Sequence, residues 1–281
     1  MITVLTPVYN GEKFIESCIK VVIDQACPEV EHIIVDGGST DQTVDIIKQY
    51  AKQYPHIRWI SEKDRGQSDA MNKGIAMAQG EILSILNVDD YYEPNVLRSV
   101  SEIFKILPEP SLLVGNCKVW NHKGEMTTIN KPNKLKFTEL LMGWYVNTFP
   151  VNPTAYFYHT SLHQKIGLYE IDDHYTMDID FILKSVQVAT VKYVDEILGN
   201  YRMLEEAKTY QDMKKGMTGI RLDNLFRKYR KKLSKTQEIK IFIIYKISHI
   251  WHRFKMLGIR TNLKKIRDKA HSSLRGLIHI G

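Results

Sequence analysis

Cysteine is nearly absent from this 281-residue chain. Cys18, Cys27 and Cys117 are an odd number, with no Cys-x-x-Cys and no metal-ligand spacing. That excludes a disulfide framework and a cysteine-based zinc site, and points to reduced, mostly buried thiols in a cytosolic protein. Histidine is present but unpatterned: His32, His56, His159, His163 and His174 form no His-x-His or His-x-x-x-His pair, so they read as surface or core residues rather than ligands. No stretch reaches the ~18 uncharged apolar residues that a membrane-spanning helix needs. Thr6-Pro7 and Asn10-Gly11 interrupt the apolar start, and no small-residue cleavage site follows, so no signal peptide is expected and the location is expected to be cytoplasmic. There is no internal repeat, no low-complexity linker and no zinc, helix-turn-helix or RNA-binding signature, and nucleic acid is not an expected partner.

Negative charge is also missing, but only from one part of the chain. Residues 208–281 hold 4 Asp+Glu against 20 Lys+Arg, a balance of +16, whereas residues 1–207 hold 28 against 19, a balance of −9. The overall +7 hides two different objects. The expected organisation is a domain over 1–207 and a basic helical extension over 208–281 suited to a negative surface.

What is present is an ordinary globular composition, 43% hydrophobic and 25% charged, long enough to bury a full core. Apolar runs at 2–6 (ITVLT), Glu31–Asp36, Ile57–Ser61 and Ile82–Leu86 predict short buried strands. Helical spacing of Phe14, Ile15, Cys18, Ile19, Val22 and Ile23, and helices over Gln42–Tyr54 and Gln67–Gln79, fall between them. Strands alternating with helices of this length predict βαβ units, an α/β fold and a parallel sheet. Beyond Tyr92 the pattern loosens: a helix from Pro94 to Ile106, strands at Leu112–Val119, Pro153–His159 and Val191–Val194, and helices at Ser161–Ile166 and Ile179–Val188. An aromatic cluster, Phe137, Trp144, Tyr145 and Phe149, lies in between.

The stretch Glu81 to Tyr92, EILSILNVDDYY, organises the rest. A buried strand ends in Asp89 and Asp90, the place where open α/β sheets hold ligands. Adjacent carboxylates repel unless a cation or a hydrogen-bond network offsets them. Mg²⁺ or Mn²⁺ takes carboxylate oxygens and bridges to phosphates, so the pair suggests a metal–diphosphate site; a solvated turn or helix cap is the alternative.

Three blocks in order, TPVYNGEKFIESCI, IIVDGGSTDQT and EKDRGQSDAMNKGIAMAQGEILSILNVDD, followed later by TMDIDFIL, resemble the family 2 glycosyltransferases. The resemblance covers about residues 1–205. It implies the GT-A nucleotide-diphospho-sugar transferase fold, a Rossmann-like mixed sheet flanked by helices, and a nucleotide-sugar donor. Thr6, Pro7, Val8 and Tyr9 would pair with or stack on the base, and Asp36 would accept from uracil or ribose; a plain strand–helix turn and a helix-capping Asp are the alternatives. Where the family usually shows two acids, this chain has Asp36 followed by Gly37. Asp64, Arg65 and Asn72 match the family's donor-binding spacing, with Arg65 toward phosphate or base; tight packing is the alternative for Asn72 and Gly74. Asn87-Val88-Asp89 stands where many relatives carry Asp-x-Asp, so that Asn87 and Val88 would meet the ribose side and Asp89 and Asp90 the metal.

The resemblance also makes Asp178 the general base for the acceptor hydroxyl, with Asp180 in support; capping of Ile179–Val188 is the alternative for both. Many relatives complete the metal shell with a His in a Tyr-Arg-x-His context, and here the run is Tyr201-Arg202-Met203-Leu204. The implied function is inverting transfer from a nucleotide sugar, UDP-linked, to a growing glycan or polyprenyl-linked acceptor in bacterial surface polysaccharide synthesis. A nucleotidyltransferase and a non-catalytic nucleotide- or glycan-binding protein are the rivals. In the extension, Ile239–Leu257 is apolar and aromatic on a broad face with Lys240, Lys246, Arg253 and Lys255 interspersed, which suits a peripheral helix on anionic lipid or a helix packed on the domain.

Overall fold

The computed structural model describes residues 1–144 and 146–256, and for 252–256 the helical backbone only. Tyr145, Leu257 and residues 258–281, with the side chains of Arg253 and Lys255, lie outside the described residues. In order, the elements are β1 (Ile2–Val8), α1 (Ile15–Asp24), β2 (Val30–Asp36), α2 (Thr43–Gln53), β3 (Ile57–Ser61), α3 (Gln67–Met77), β4 (Ile82–Ile85), β5 (Tyr91–Tyr92), α4 (Val96–Phe104), β6 (Ser111–Trp120) and β7 (Met126–Asn130). They continue with α5 (Phe137–Leu140), a 3₁₀ turn (Pro153–Ala155), β8 (Tyr156–His159), α6 (Leu162–Ile166), α7 (Met177–Ser185), β9 (Thr190–Arg202), α8 (Lys208–Lys214), α9 (Met217–Arg230) and α10 (Lys235–Met256).

One mixed sheet runs β3-β2-β1-β4-β8-β6-β9-β5, with β7 added on β6. The parallel expectation holds for β3, β2, β1 and β4. Beyond them the sheet is mixed: β8 is antiparallel to both β4 and β6, β5 and β7 are antiparallel to β9 and β6, and β6 runs parallel to β9. The alternation of side chains sorts the first strands onto two faces. Leu5, Ile33, Val35, Leu83 and Ile85 meet α3 and α7 in one cluster; Val4, Ile82 and Leu86 meet α1 and α4 in a second. Val8 and Ile34 close a third layer with α1 and α2.

The division at residue 207 follows charge but not the core. Leu222, Leu225, Phe226 and Tyr229 of α9, and Ile241 and Tyr245 of α10, belong to the same buried cluster as Tyr156, Phe181 and Ile182. Phe226 packs on Phe149 with ring centroids 5.4 Å apart, and Tyr229 edges onto Phe137 at 6.0 Å. Much of the predicted aromatic cluster therefore serves to receive the extension.

Gly199 of β9 is the tightest approach beneath the site. A Cβ there would lie 2.3 Å from Thr154 Oγ1 and 2.7 Å from the Thr154 carbonyl oxygen, so backbone would have to move. Overpacking of this kind typically costs about 1–3 kcal/mol. Gly199→Ala is expected to lower the thermal unfolding midpoint by several degrees, while an alanine at the open Gly219 leaves it within about a degree.

Candidate active site

The parallel strands β1, β2 and β4 end side by side, Val8 opposite Asp36 and the Leu86 amide on the Leu5 carbonyl at 2.9 Å. Residues 6–9, 36–39 and 87–90 therefore leave the sheet along one edge, where α/β sheets bind ligands. Two loops are laced there: the Asn10 amide donates to Ser39 Oγ (2.7 Å), and Asn10 Oδ1 accepts from the Thr40 amide (2.9 Å). Tyr9 is exposed, so its ring is free to stack. Thr6 is not. Its hydroxyl is buried against His32 Nε2 (2.9 Å) and Cys18 Sγ (3.6 Å), which leaves only its backbone for a base. Pro7 and Val8 are buried strand residues, and Val88 packs into the apolar layer beside them.

Asp36 is fully buried, and its carboxylate is occupied by its own loop. It accepts from the Gly38 and Ser39 amides (3.0 Å each), from Ser61 (2.7 Å) and from the Ser39 hydroxyl. Its observed role is to shape the turn. Beside it, a Cβ on Gly37 would sit 2.5 Å from Asp64 Oδ2. The space of the absent second acid is thus filled by the Asp64 carboxylate, whose other oxygen accepts from the Gly66 amide at 2.8 Å. Arg65 projects from this turn and is exposed.

The expectation for Asn72 needs correcting. Its amide closes on the backbone of Tyr169 at both ends, Nδ2 donating to the carbonyl (2.8 Å) and Oδ1 accepting from the amide (3.0 Å). With the Ser68 hydroxyl donating to the Asp173 carbonyl (3.0 Å), α3 holds the segment that leads into α7. Asn72 acts here as a fastener between α3 and the segment at Tyr169.

The Asp89–Asp90 pair divides. Asp90 is 1% exposed and accepts three hydrogen bonds, from Asn152 Nδ2 (2.7 Å), the Arg202 amide (2.9 Å) and Asn87 Nδ2 (3.1 Å). Burial and then the Asp89 charge raise its pKa, and the three donors oppose that rise. Asp90 is thus enclosed by its own donors, which leaves Asp89 the more open of the two carboxylates. Asp89 is half-buried, its pKa raised chiefly by burial, drawn down by Arg202 and pushed up by Glu206. No group of three His, Cys, Asp or Glu able to hold a metal occurs among the described residues. Mg²⁺ characteristically takes only one or two protein carboxylates with substrate phosphates and water. Asp89 alone fits that donor set.

Sequence reasoning passed over Arg202. Its Nε donates to the Asp89 carbonyl, and its guanidinium lies 5.5 Å from the Phe14 ring centroid and 5.7 Å from that of Tyr91. A fixed positive charge therefore stands beside Asp89, two residues before Leu204. Cation–aromatic contact and the short register from β9 hold it there.

Asp178 occupies the first turn of α7, half-buried, with the Tyr156 hydroxyl donating to Oδ1 at 3.4 Å. Its pKa is pushed up to about 6 by burial; Tyr156 pulls it down and Asp173 adds to the rise. Neither acid caps the helix: the N-cap residue is Thr176, with no side-chain cap bond, and Asp173 folds the turn before it by accepting from the Thr176 amide (2.8 Å) and the Tyr175 amide (3.0 Å). Asp180 faces away into the core, accepting from Tyr229 (2.7 Å) and pairing with Lys184 (2.7 Å). Tyr201 joins the two halves: its phenol is raised by burial and then by the charges of Asp90, Asp89 and Asp178 together.

Comparison with known proteins gives this arrangement its class. The S. aureus TarS 1–349 structure with UDP-GlcNAc aligns with a TM-score of 0.64 at 17% identity, over 94% of this chain and 77% of that one. The mannosyltransferase PcManGT from Pyrobaculum calidifontis, solved with GDP-Man and Mn²⁺, aligns at 0.62 and 15% identity, over 98% and 80%. The fold is the GT-A glycosyltransferase fold. The Glycosyl transferase family 2 model matches residues 3–167, and the chain belongs to that family. EpsJ of Bacillus subtilis, described as an uncharacterized glycosyltransferase, is 28% identical over 212 residues, 72% of this chain and 61% of EpsJ. Escherichia coli chondroitin synthase is 30% identical over 105 residues, 37% of this chain and 15% of the synthase. The matched region therefore spans less than two thirds of each relative's length, 61% of EpsJ and 15% of the synthase.

Tyr156→Phe removes the one hydroxyl seen lowering the Asp178 pKa. The carboxyl is expected to titrate above the wild-type value of about 6, read by carbon-13 NMR of labelled aspartates, with the fold intact. An unmoved titration would show that the 3.4 Å contact carries no proton-linked interaction.

Proposed function

We propose that the protein is an inverting glycosyltransferase that moves a sugar from a UDP-linked donor to a hydroxyl of a growing glycan or polyprenyl-linked acceptor, in bacterial surface polysaccharide synthesis at the cytosolic face of a membrane. The observation that carries this reading is the presence of two half-buried carboxylates, Asp89 just past the edge where β1, β2 and β4 end and Asp178 in the first turn of α7 beside the Tyr156 hydroxyl. In this reading the UDP and UDP-GlcNAc complexes of TarS supply the donor class.

Asp178 accepts the acceptor's proton as the hydroxyl oxygen attacks the anomeric carbon. The bond to the diphosphate oxygen breaks on the opposite face, inverting the configuration. With a pKa near 6 the carboxylate is mostly ionised at neutral pH yet basic enough to take a proton in the transition state. Arg202 and Arg65 supply positive charge for the departing nucleoside diphosphate, and the residues around Asp36 and Asp64 seat the nucleotide. A divalent ion at Asp89, Mg²⁺ or Mn²⁺, would add Lewis-acid neutralisation of the diphosphate when bound.

A panel of UDP- and GDP-sugars assayed for nucleotide release tests the reading. At least one UDP-sugar is expected to release UDP with an acceptor present, with the rate rising as pH climbs through about 6 because the ionised carboxylate is the active form. Asp178→Ala is expected to lower transfer by about 10²–10⁴-fold, the usual contribution of a general base, with donor binding retained. Donor binding without turnover in the wild type would favour a non-catalytic binding protein, and unchanged turnover in the variant would remove Asp178 from the chemistry.

A further inference from the structure

The extension carries apolar surface that the fold does not use. On α10, Ile241 and Tyr245 are buried, Tyr245 edging onto Phe226 at 6.3 Å with the Arg230 guanidinium 4.0 Å from its ring centroid. Half a turn away the helix presents a second apolar face. Ile239, Phe242, Ile243 and Ile250 are 58%, 46%, 45% and 53% exposed. Residues 239, 243, 246 and 250 follow the spacing of a single helix stripe, opposite the buried one. One side of α10 already satisfies the core, so the outer stripe is a surface waiting for a partner.

Charge selects that partner. Lys235, Lys240 and Lys246 edge the stripe and are exposed, and Lys246 Nζ lies 5.4 Å from the Phe242 ring centroid. Arg227, Lys228, Lys231 and Lys232 are exposed at the end of α9 and in the turn that leads into α10. Two of the few local acids are already paired, Asp212 with Arg221 and Asp223 with Arg227. A second copy would set equal positive faces against each other, which opposes association. The chain's own residues 257–281 offer no complement either, with 6 Lys+Arg against 1 acid. An apolar stripe framed by lysines matches an interface of acyl chains and anionic headgroups.

We infer that the outer stripe of α10 lies on an anionic lipid surface, with Ile239, Ile243 and Ile250 entering the headgroup boundary and Lys235, Lys240 and Lys246 meeting the phosphates. This deepens the proposed reading by stating which face meets the membrane, and it rests on that reading only for the acceptor. The core side of the extension reaches α7 through the Tyr229–Asp180 hydrogen bond of 2.7 Å, so lipid contact and the base helix belong to one packed unit.

The test uses the full chain, phosphatidylcholine vesicles with and without phosphatidylglycerol, co-sedimentation, gel filtration and UDP release in solution. Binding is expected only with phosphatidylglycerol. A triple change Ile239→Ser, Ile243→Ser, Ile250→Ser and a double change Lys240→Glu, Lys246→Glu are each expected to weaken it about tenfold or more, since each basic residue near such a surface contributes about a fivefold factor. Both variants should keep the wild-type unfolding midpoint and UDP release, so loss of lipid binding stays separate from loss of catalysis. Equal binding to both vesicle types, full binding by the triple variant, or a dimer abolished by the triple variant would each overturn the inference. The last result would assign the stripe to a second copy.

Discussion

A single buried carboxylate sets the geometry of this site. Asp90 receives its three N–H donors from just past β4, from the residue before the 3₁₀ turn and from the end of β9. A hydrogen bond between uncharged groups contributes about 0.5–1.5 kcal/mol, and leaving a buried polar group without its partner costs about 1–3 kcal/mol. The three segments are therefore held together where this buried carboxyl group is satisfied. The edge where β1, β2 and β4 end is thereby joined to the 3₁₀ turn before β8 and to the end of β9.

The same bond explains why two adjacent acids behave differently. With Asp90 turned inward, Asp89 is left at the surface of the cleft, where Arg202 and Glu206 act on it in opposite senses. Arg202 is used twice, its amide on Asp90 and its Nε on the Asp89 carbonyl. An arginine anchored in this way cannot leave its post when the anion beside it changes. It places a permanent positive charge beside Asp89, built into the backbone register of β9.

The first four strands are legible because each is a short apolar run with β-branched residues, bounded by Gly, Pro or charge. β9 is legible only at Val191–Val194. Its residues up to Ile197 are exposed or half-buried, Leu198–Asn200 are buried, and its partner β6 lies some eighty positions away. β5 has two residues, and β7 is exposed at four of its five positions, so neither leaves an apolar signature. The site shows the same divide. Acids at strand ends can be read from order and spacing, but whether an acid is free depends on donors far along the chain. Asn152 and Arg202 lie 62 and 112 residues from Asp90, and Asn72 meets Tyr169 across 97. Tyr156 and Tyr201 carried no signal, because an aromatic at a strand position reads as core whether or not its hydroxyl meets a carboxylate.

The composition boundary at residue 207 misled for a related reason. Charge counts report what faces solvent, and the solvent side of α9 is basic at Arg227, Lys228 and the following lysines. Its other side, Leu222, Leu225, Phe226 and Tyr229, is as apolar as any helix of the domain. A segment can therefore be a separate object electrostatically and an integral one in packing. α7 sits at the joint, Asp178 near Tyr156 on one side and Asp180 bonded to Tyr229 on the other. The helix carrying Asp178 is braced from behind by the basic extension through the Tyr229–Asp180 bond, so a change in how α9 packs is passed to Asp178 through two residues of one helical turn.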